Sequence, residues 1–270
     1  MLQRIALRIA YDGRKFNGFQ RQPNKRTVEG DIITALRNIR AIGDPKSSNY
    51  RCSSRTDSGV SAVGNVISID TSFREERLAG ALNSKLKDIW CTGTAIIPMG
   101  FNVRHAINRE YAYYLPDIGQ NISNMRESAR CFVGEHDFTK YARAEKRNPI
   151  RRISRVGIRK KGMLIEIRIK GESFLWNQVR RIVWALNEVG KGSAQITDIS
   201  PESFRLRRIG LAPADNLVLL DVDIGYEFKI PDLKGNAPFN LRNSLIESEL
   251  SSILYNNISA IMSLRFPGDR

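Results

Sequence analysis

Cysteine and histidine are scarce in this sequence of 270 residues, which contains three cysteines and two histidines. Cys52, Cys91 and Cys131 are far apart and odd in number, which argues against a disulfide framework and against a CxxC zinc pair. His105 and His136 are the only candidates for a histidine-based triad or an imidazole metal site, which makes either arrangement improbable. The cysteine content fits a reducing cytosol, and we expect any catalysis to use carboxylates.

Long apolar runs are absent as well. No stretch approaches the roughly 20 residues that span a bilayer, and the N-terminus alternates arginines with aliphatic residues where a signal peptide has a continuous apolar stretch. Fixed-period repeats and low-complexity tracts are also missing, which argues against a solenoid and against Gly/Ser-rich linkers. These absences predict a soluble, cytoplasmic protein.

Acidic residues are outnumbered, with 28 Asp and Glu against 43 Lys and Arg and a formal net charge of +15. Such a surface attracts polyanions. One basic run consists of Arg143, Lys146, Arg147, Arg151, Arg152, Arg155, Arg159, Lys160 and Lys161. A second basic set consists of Arg14, Lys15, Arg21, Lys25 and Arg26. Each segment fits either a solvated charged face or a nucleic-acid-binding surface, and the net charge of the whole chain favours the second interpretation.

Strand and helix patterns are mixed along the chain. Alternation of apolar with polar or charged residues predicts half-buried strands at residues 4–10, 63–69 and 163–170. Thr27 is predicted to cap a helix, and Ser72 with Glu75 is predicted to form a capping box before another. A third helix is predicted over residues 175–189 and is expected to end at Gly190.

This mixture predicts two α+β halves, residues 1–105 and residues 106–230. After Pro231 the composition changes, and apolar residues at helical spacing predict one or two amphipathic helices within residues 231–270. Few basic residues accompany them, so we expect packing against the body of the protein or a second subunit rather than membrane association.

A short polar loop has the most unusual pattern in the chain. Residues 50–62 read YRCSSRTDSGVSA and lie between predicted regular elements. By residue type alone, Asp57 is more often a turn or cap residue than a catalytic one, and Gly59 supplies a positive φ angle. Residues 55–60, RTDSGV, nevertheless resemble the signature loop of the tRNA pseudouridine synthase A (TruA-like) family. In that family the aspartate of this loop is the catalytic residue.

Four other segments resemble motifs of the same family, in the family's order and at about its spacing. They are YDG at 11–13 with GFQRQ at 18–22, REYAY at 109–113, VGEHDFT at 133–139 and FLWNQVRRIV at 174–183. The resemblance covers about residues 1–225. The chain departs from the family pattern, which usually has Trp, Gly, His and Met there, at Phe19, Ser54, Ser61 and Gln178. These positions flank the motifs, so they bear on local packing and substrate range more than on activity.

The resemblance implies a fold and a reaction. The fold is the α+β pseudouridine synthase fold, in which two α/β-sandwich halves with mainly antiparallel sheets join around a central basic cleft with Asp57 at its floor. The reaction isomerises a flipped-out uridine to pseudouridine in the anticodon stem-loop of tRNA, at positions roughly 38 to 40. It proceeds without cofactor or metal, and the resemblance also implies a homodimer.

The resemblance assigns a role to several side chains. Asp57 is the essential carboxylate, which attacks the sugar, attacks the base or removes a ribose proton; the sequence does not choose among these. Arg180 forms an ion pair with Asp57. Tyr111 stacks on the uracil and transfers a proton, whereas Tyr113 packs in the core. Arg55 occupies the place of the flipped nucleotide. The residues expected to bind RNA are Arg55, Arg14, Lys15, Arg21, Gln22, Arg143, Arg151 and Arg152.

Two other function classes fit parts of the sequence. A catalytically inactive RNA-binding module would share the charge and the fold but would not need Asp57. A metal-dependent nuclease needs several clustered carboxylates to hold Mg²⁺, and the sequence has no other acid between Asp44 and Asp70. The motifs therefore favour the isomerase.

Overall fold

The computed structural model describes residues 1–143, 148–231 and 236–261. Its strands are β1 (Gln3–Tyr11), β2 (Arg51–Cys52), β3 (Ser61–Thr71), β4 (Ile89–Ile97), β5 (Asn108–Pro116), β6 (Gly134–Asp137), β7 (Ile150–Lys161), β8 (Leu164–Gly171) and β9 (Leu217–Asp223). Its helices are α1 (Val28–Asn38), α2 (Glu75–Asn83), α3 (Ile122–Ala129), α4 (Gln178–Gly190), α5 (Ile196–Ile199) and α6 (Asn236–Ile261). The three strands predicted from alternation are present as β1, β3 and β8.

Strand β9 joins the two halves of the chain. The sheet has the order β4-β1-β3-β9-β5-β8-β7-β6, with β2 paired to β3 beside this path. Although β9 follows every other described strand in sequence, it lies between β3 and β5. It runs parallel to β3 and antiparallel to β5, and the other described ladders are antiparallel. The predicted α+β class with mainly antiparallel pairing is confirmed, and the sheets of the two halves form one continuous sheet.

Two hydrophobic cores lie along this sheet. The first contains buried side chains of β1, β3 and β4 with those of α1 and α2, and the second contains those of β5, β7 and β8 with α3 and α4. Tyr113 is buried in the second core, in the packing position expected for it. Strand β9 supplies Leu219 to the first core and Leu217 to the second. The division into halves at residues 1–105 and 106–230 stays a prediction, because β9 belongs to both cores.

The two predicted helix caps have different outcomes. The Thr27 side chain accepts a hydrogen bond from the Gly30 N–H at 3.3 Å, as predicted for the start of α1. The capping box of Ser72 and Glu75 is wrong, since α2 begins at Glu75 and has no side-chain cap. The Glu75 carboxylate instead points into the protein, where it accepts from Thr94 Oγ1 at 3.0 Å and from Lys229 Nζ at 2.7 Å. A buried carboxylate needs such partners, and these tertiary contacts outweigh the local capping pattern.

Within the C-terminal segment, the described residues 236–261 form one helix, α6, where the sequence predicted one or two. Its described apolar side chains are exposed, and they include Leu241, Leu245, Leu250, Ile253, Leu254 and Tyr255. They are not buried against the body of the protein, and the alternative expectation, packing against a second subunit, stays a prediction. Within the described ranges, no helix is both long enough and apolar enough to cross a membrane.

Candidate active site

The loop that carries Asp57 is held by the N-terminal loop that follows β1. The Phe19 N–H donates to the Thr56 carbonyl at 3.0 Å, and the Tyr11 hydroxyl lies 2.8 Å from Thr56 Oγ1. Gly13 packs so tightly that a Cβ atom there would lie 1.9 Å from the Val60 carbonyl oxygen. Two motifs that are distant in sequence therefore form one rigid unit.

Asp57 itself begins a turn. Its carbonyl accepts from the Val60 N–H at 3.2 Å, and Gly59 has a φ of +88°, which favours glycine. The turn at Asp57 and the positive φ angle of Gly59 are those that the residue types predict. The carboxylate contacts side chains from a different part of the chain, the segment around the start of α4, and it is about one-third exposed at 33 %.

The predicted ion pair between Asp57 and Arg180 is present. Arg180 Nη1 lies 3.1 Å from Asp57 Oδ2, and the Arg180 side chain is largely buried. Arg180 Nε donates to the Ala212 carbonyl at 2.7 Å, which leaves a different nitrogen of the guanidinium for the carboxylate. The planar guanidinium is therefore fixed at two points, and it orients the carboxylate within the cleft.

Trp176 is a second partner of Asp57, and the sequence reasoning did not find it. Its Nε1–H donates to Asp57 Oδ1 at 3.1 Å. The helix predicted from residue 175 begins only at Gln178, because Asn177 has a left-handed φ of 68°. That turn places both Trp176 and Arg180 beside the carboxylate. No residue-type pattern signals this contact, since nothing in the residue types of the 174–183 motif marks the Trp176 N–H as a partner of Asp57.

Tyr111 lies on β5 at the wall of the same cleft. Its ring packs edge-on against Phe174, with ring centroids 5.4 Å apart and an interplanar angle of 89°. Burial raises the pKa of Tyr111 to about 12, and the charge of Asp57 acts in the same direction. The hydroxyl therefore stays protonated at neutral pH and remains a hydrogen-bond donor.

Arg109 ties the Asp57 loop to the segments beside it. Its guanidinium is buried and donates to the carbonyls of Ser53 at 3.3 Å and Arg104 at 2.8 Å, and to that of Glu172. Its Nε also donates to Ser54 Oγ at 3.2 Å, a bond that the usual glycine could not accept. The arginine of the REYAY motif therefore supports the structure of the site.

The other departures from the family pattern also have structural partners. Ser61 Oγ accepts from the Gly13 N–H at 3.0 Å, and Gln178 Oε1 accepts from the Leu175 N–H at 2.8 Å. Phe19 is buried. Ser61 and Phe19 are thus accommodated by local contacts, whereas the Gln178 Nε2 atom is buried without a hydrogen-bond partner among the described residues.

A cleft of about 800 Å³ surrounds Asp57. Six of the side chains that line it are cationic, namely Lys25, Arg55, Arg104, Arg109, Arg151 and Arg180. Of the residues expected to bind RNA, the structure brings Arg55, Gln22 and Arg151 to this cleft. The sequence reasoning missed Arg104, an isolated arginine outside every motif and basic run.

The other residues expected to bind RNA are not among those that line the cleft. Arg14 pairs with Asp12 at 2.8 Å, and Arg21 lies 3.8 Å from Glu29. Lys15 is exposed beside Arg14, and Arg143 lies over the Trp176 ring with its guanidinium carbon 4.2 Å from the ring centroid. Arg152 is exposed on β7; because neighbouring strand residues point to opposite faces, it and Arg151 diverge. Lys146 and Arg147 lie outside the described residues.

Comparison with known proteins gives consistent results. Residues 128–224 match a family model described as tRNA pseudouridine synthase. A protein named tRNA pseudouridine synthase A from Thermococcus sibiricus is 45% identical over 229 residues, which is 83% of this chain and 85% of the relative. Proteins of the same name from Pyrococcus furiosus and Methanosarcina mazei are 42% and 40% identical, over 84% and 83% of this chain and 86% of each relative. Identity at this level, over more than four-fifths of each chain, confirms the resemblance carried by the motifs: the chain belongs to the tRNA pseudouridine synthase A family.

Proposed function

We propose that this chain isomerises uridine to pseudouridine in tRNA and that Asp57 is the essential carboxylate. The observation that supports this most strongly is the ion pair of Asp57 with Arg180, at 3.1 Å, in a cleft that Tyr111 also lines. The names of the relatives support tRNA as the substrate, and the cationic lining of the cleft fits a polyanion.

Asp57 would act on the nucleotide through one carboxylate oxygen. Attack on the sugar, attack on the base and removal of a ribose proton all require that oxygen to touch the flipped nucleotide. Partial exposure of Asp57 gives a nucleotide access to the carboxylate, while Arg180 holds the group in place. Holding a reactive group in one orientation lowers the entropy that must be lost in the transition state.

Tyr111 would contact the flipped base, and Arg55 would fill the gap that the base leaves. The Tyr111 ring offers an aromatic face, and its protonated hydroxyl can exchange a proton during the rearrangement. Arg55 is exposed in the Asp57 loop, from which its planar guanidinium can stack in place of the flipped nucleotide.

The proposal includes the finer points that the motif resemblance implies. These are modification in the anticodon stem-loop at positions roughly 38 to 40, reaction of a flipped base without a cofactor or metal, and a cytoplasmic homodimer. The exposed apolar side chains of α6 are consistent with a subunit contact. Light scattering checks the dimer, and the mass of a monomer would contradict it.

Release of tritium from tRNA labelled at uridine C5 tests the reaction, because isomerisation frees that hydrogen. We expect release without added metal from tRNA that carries uridine at positions roughly 38 to 40, and none when those uridines are replaced by cytidine. Tight tRNA binding without any release would support the RNA-binding module instead.

A further inference from the structure

Both carboxylate oxygens of Asp57 have hydrogen-bond donors from the segment at the start of α4. Arg180 Nη1 lies 3.1 Å from Oδ2, and Trp176 Nε1 lies 3.1 Å from Oδ1. The two donors are four residues apart, on either side of the left-handed Asn177. The family resemblance accounts for Arg180 but gives no role to the indole.

The second donor has a physical consequence for the carboxylate. The terminal torsion of an aspartate is broad, so one contact at one oxygen leaves the carboxylate plane free to swing. A donor at each oxygen fixes the plane as well as the position. A reacting group misplaced by about 1 Å can lose about 100-fold in rate, so fixing the plane matters for catalysis.

Trp176 is itself held in place by Arg143. The Arg143 guanidinium carbon lies 4.2 Å from the centroid of the indole ring, and the Arg143 N–H donates to the Trp176 carbonyl at 3.1 Å. The side chain nevertheless stays 43 % exposed, so substituting it leaves the hydrophobic core intact. Arg143 therefore contacts both the indole face and the backbone carbonyl of Trp176, and these contacts orient the indole toward Asp57.

We propose that Trp176 is a positioning residue for the isomerisation, which sets the plane of the Asp57 carboxylate through its Nε1–H. This rests on the proposed function, in which Asp57 is the catalytic carboxylate. The competing role for an exposed tryptophan in a basic cleft is to stack on an RNA base, which would contribute to affinity rather than to rate.

The variant Trp176→Phe separates these roles, because it keeps an aromatic face, although a smaller one, and removes the N–H donor. We expect kcat for tritium release to fall about 10- to 100-fold while the Kd for tRNA stays within about twofold. Trp184→Phe is the matched control, since Trp184 lies on α4, packs beside Gly210 and is not among the residues that line the cleft. It should leave both kcat and Kd unchanged.

Two results would overturn the inference. The first is an unchanged kcat in Trp176→Phe, and the second is a loss confined to tRNA affinity, which would assign Trp176 to base stacking. Asp57→Asn measured alongside separates this outcome from failure of the proposed function. If Asp57→Asn is inactive and Trp176→Phe is fully active, only the positioning role is wrong. If Asp57→Asn releases tritium at the wild-type rate, the assignment of Asp57 as the essential carboxylate is wrong, and if wild type releases none, the isomerase function itself is wrong.

Discussion

At the scale of single residues, the site depends on how one carboxylate is held. Asp57 and Arg180 were predicted from motifs, and the structure brings them together from positions 123 residues apart in sequence. Trp176 was not predicted, because its contact with Asp57 depends on the backbone turn at Asn177 and leaves no pattern in residue types. The motifs thus identify the charged pair, Asp57 and Arg180, whereas the neutral donor, Trp176, can be identified only from the folded structure.

Substitution of Arg180 should separate charge from geometry. Arg180→Ala removes both the ion pair and the bond to the Ala212 carbonyl, so we expect kcat for tritium release to fall about 100- to 1,000-fold. Arg180→Lys should lose less activity, but it cannot restore wild-type activity, since one ammonium does not reproduce both contacts of the planar guanidinium. Equal activity of wild type and Arg180→Lys would show that the charge alone matters.

At the scale of elements, the alternating strands were predictable and the sheet order was not. Local alternation of residue types marks β1, β3 and β8. The expected half-burial is wrong for β1 and β3, which bury residues of both faces, including Arg4 and Asn65. The insertion of β9 between β3 and β5 depends on contacts between distant segments, which no local pattern encodes. Glu75 shows the same limit, since its tertiary partner Thr94 overrides the local capping signal.

The contact between the N-terminal loop and the Asp57 loop makes a testable prediction at this scale. In Gly13→Ala the new Cβ would lie 1.9 Å from the Val60 carbonyl oxygen, so one of the two backbones must move. We expect a lower melting temperature and a loss of tritium release of at least about tenfold, because the Asp57 loop shifts.

Gly80→Ala is the matched control for this substitution. A Cβ at Gly80 meets no atom within 4 Å, and the residue lies in α2. Because alanine favours helix over glycine, Gly80→Ala should raise stability by up to about 1 kcal/mol and keep full activity. Full activity in Gly13→Ala, measured in the same assays, would contradict the rigid coupling of the two loops.

At the scale of the whole molecule, positive charge gathers around the cleft from separate parts of the chain. The net charge of +15 and the basic runs predicted a polyanion-binding surface, but only some of the residues in those runs line the cleft. Arg151 faces it, whereas Arg14 and Arg21 pair with nearby acids. Arg104 lies at the cleft only because of the fold, and the linear sequence therefore gives no signal for it.

Arg104 should contribute to tRNA binding through a phosphate contact. We expect Arg104→Gln to weaken tRNA binding, and to reduce the slope of log affinity against log salt concentration by about one. Arg77→Gln, on an exposed position of α2 that is not among the cleft-lining residues, should leave the slope unchanged. Identical slopes for the two variants would remove Arg104 from the RNA-binding surface.

The measurement that tests the central claim most directly compares wild type with Asp57→Asn in tritium release and tRNA binding. Asparagine keeps the size of the side chain and removes the carboxylate charge. We predict that release falls by at least about 1,000-fold while the Kd for tRNA stays within about threefold. Release by Asp57→Asn at the wild-type rate would show that the carboxylate is not needed, and would contradict the assignment of Asp57 as the catalytic residue.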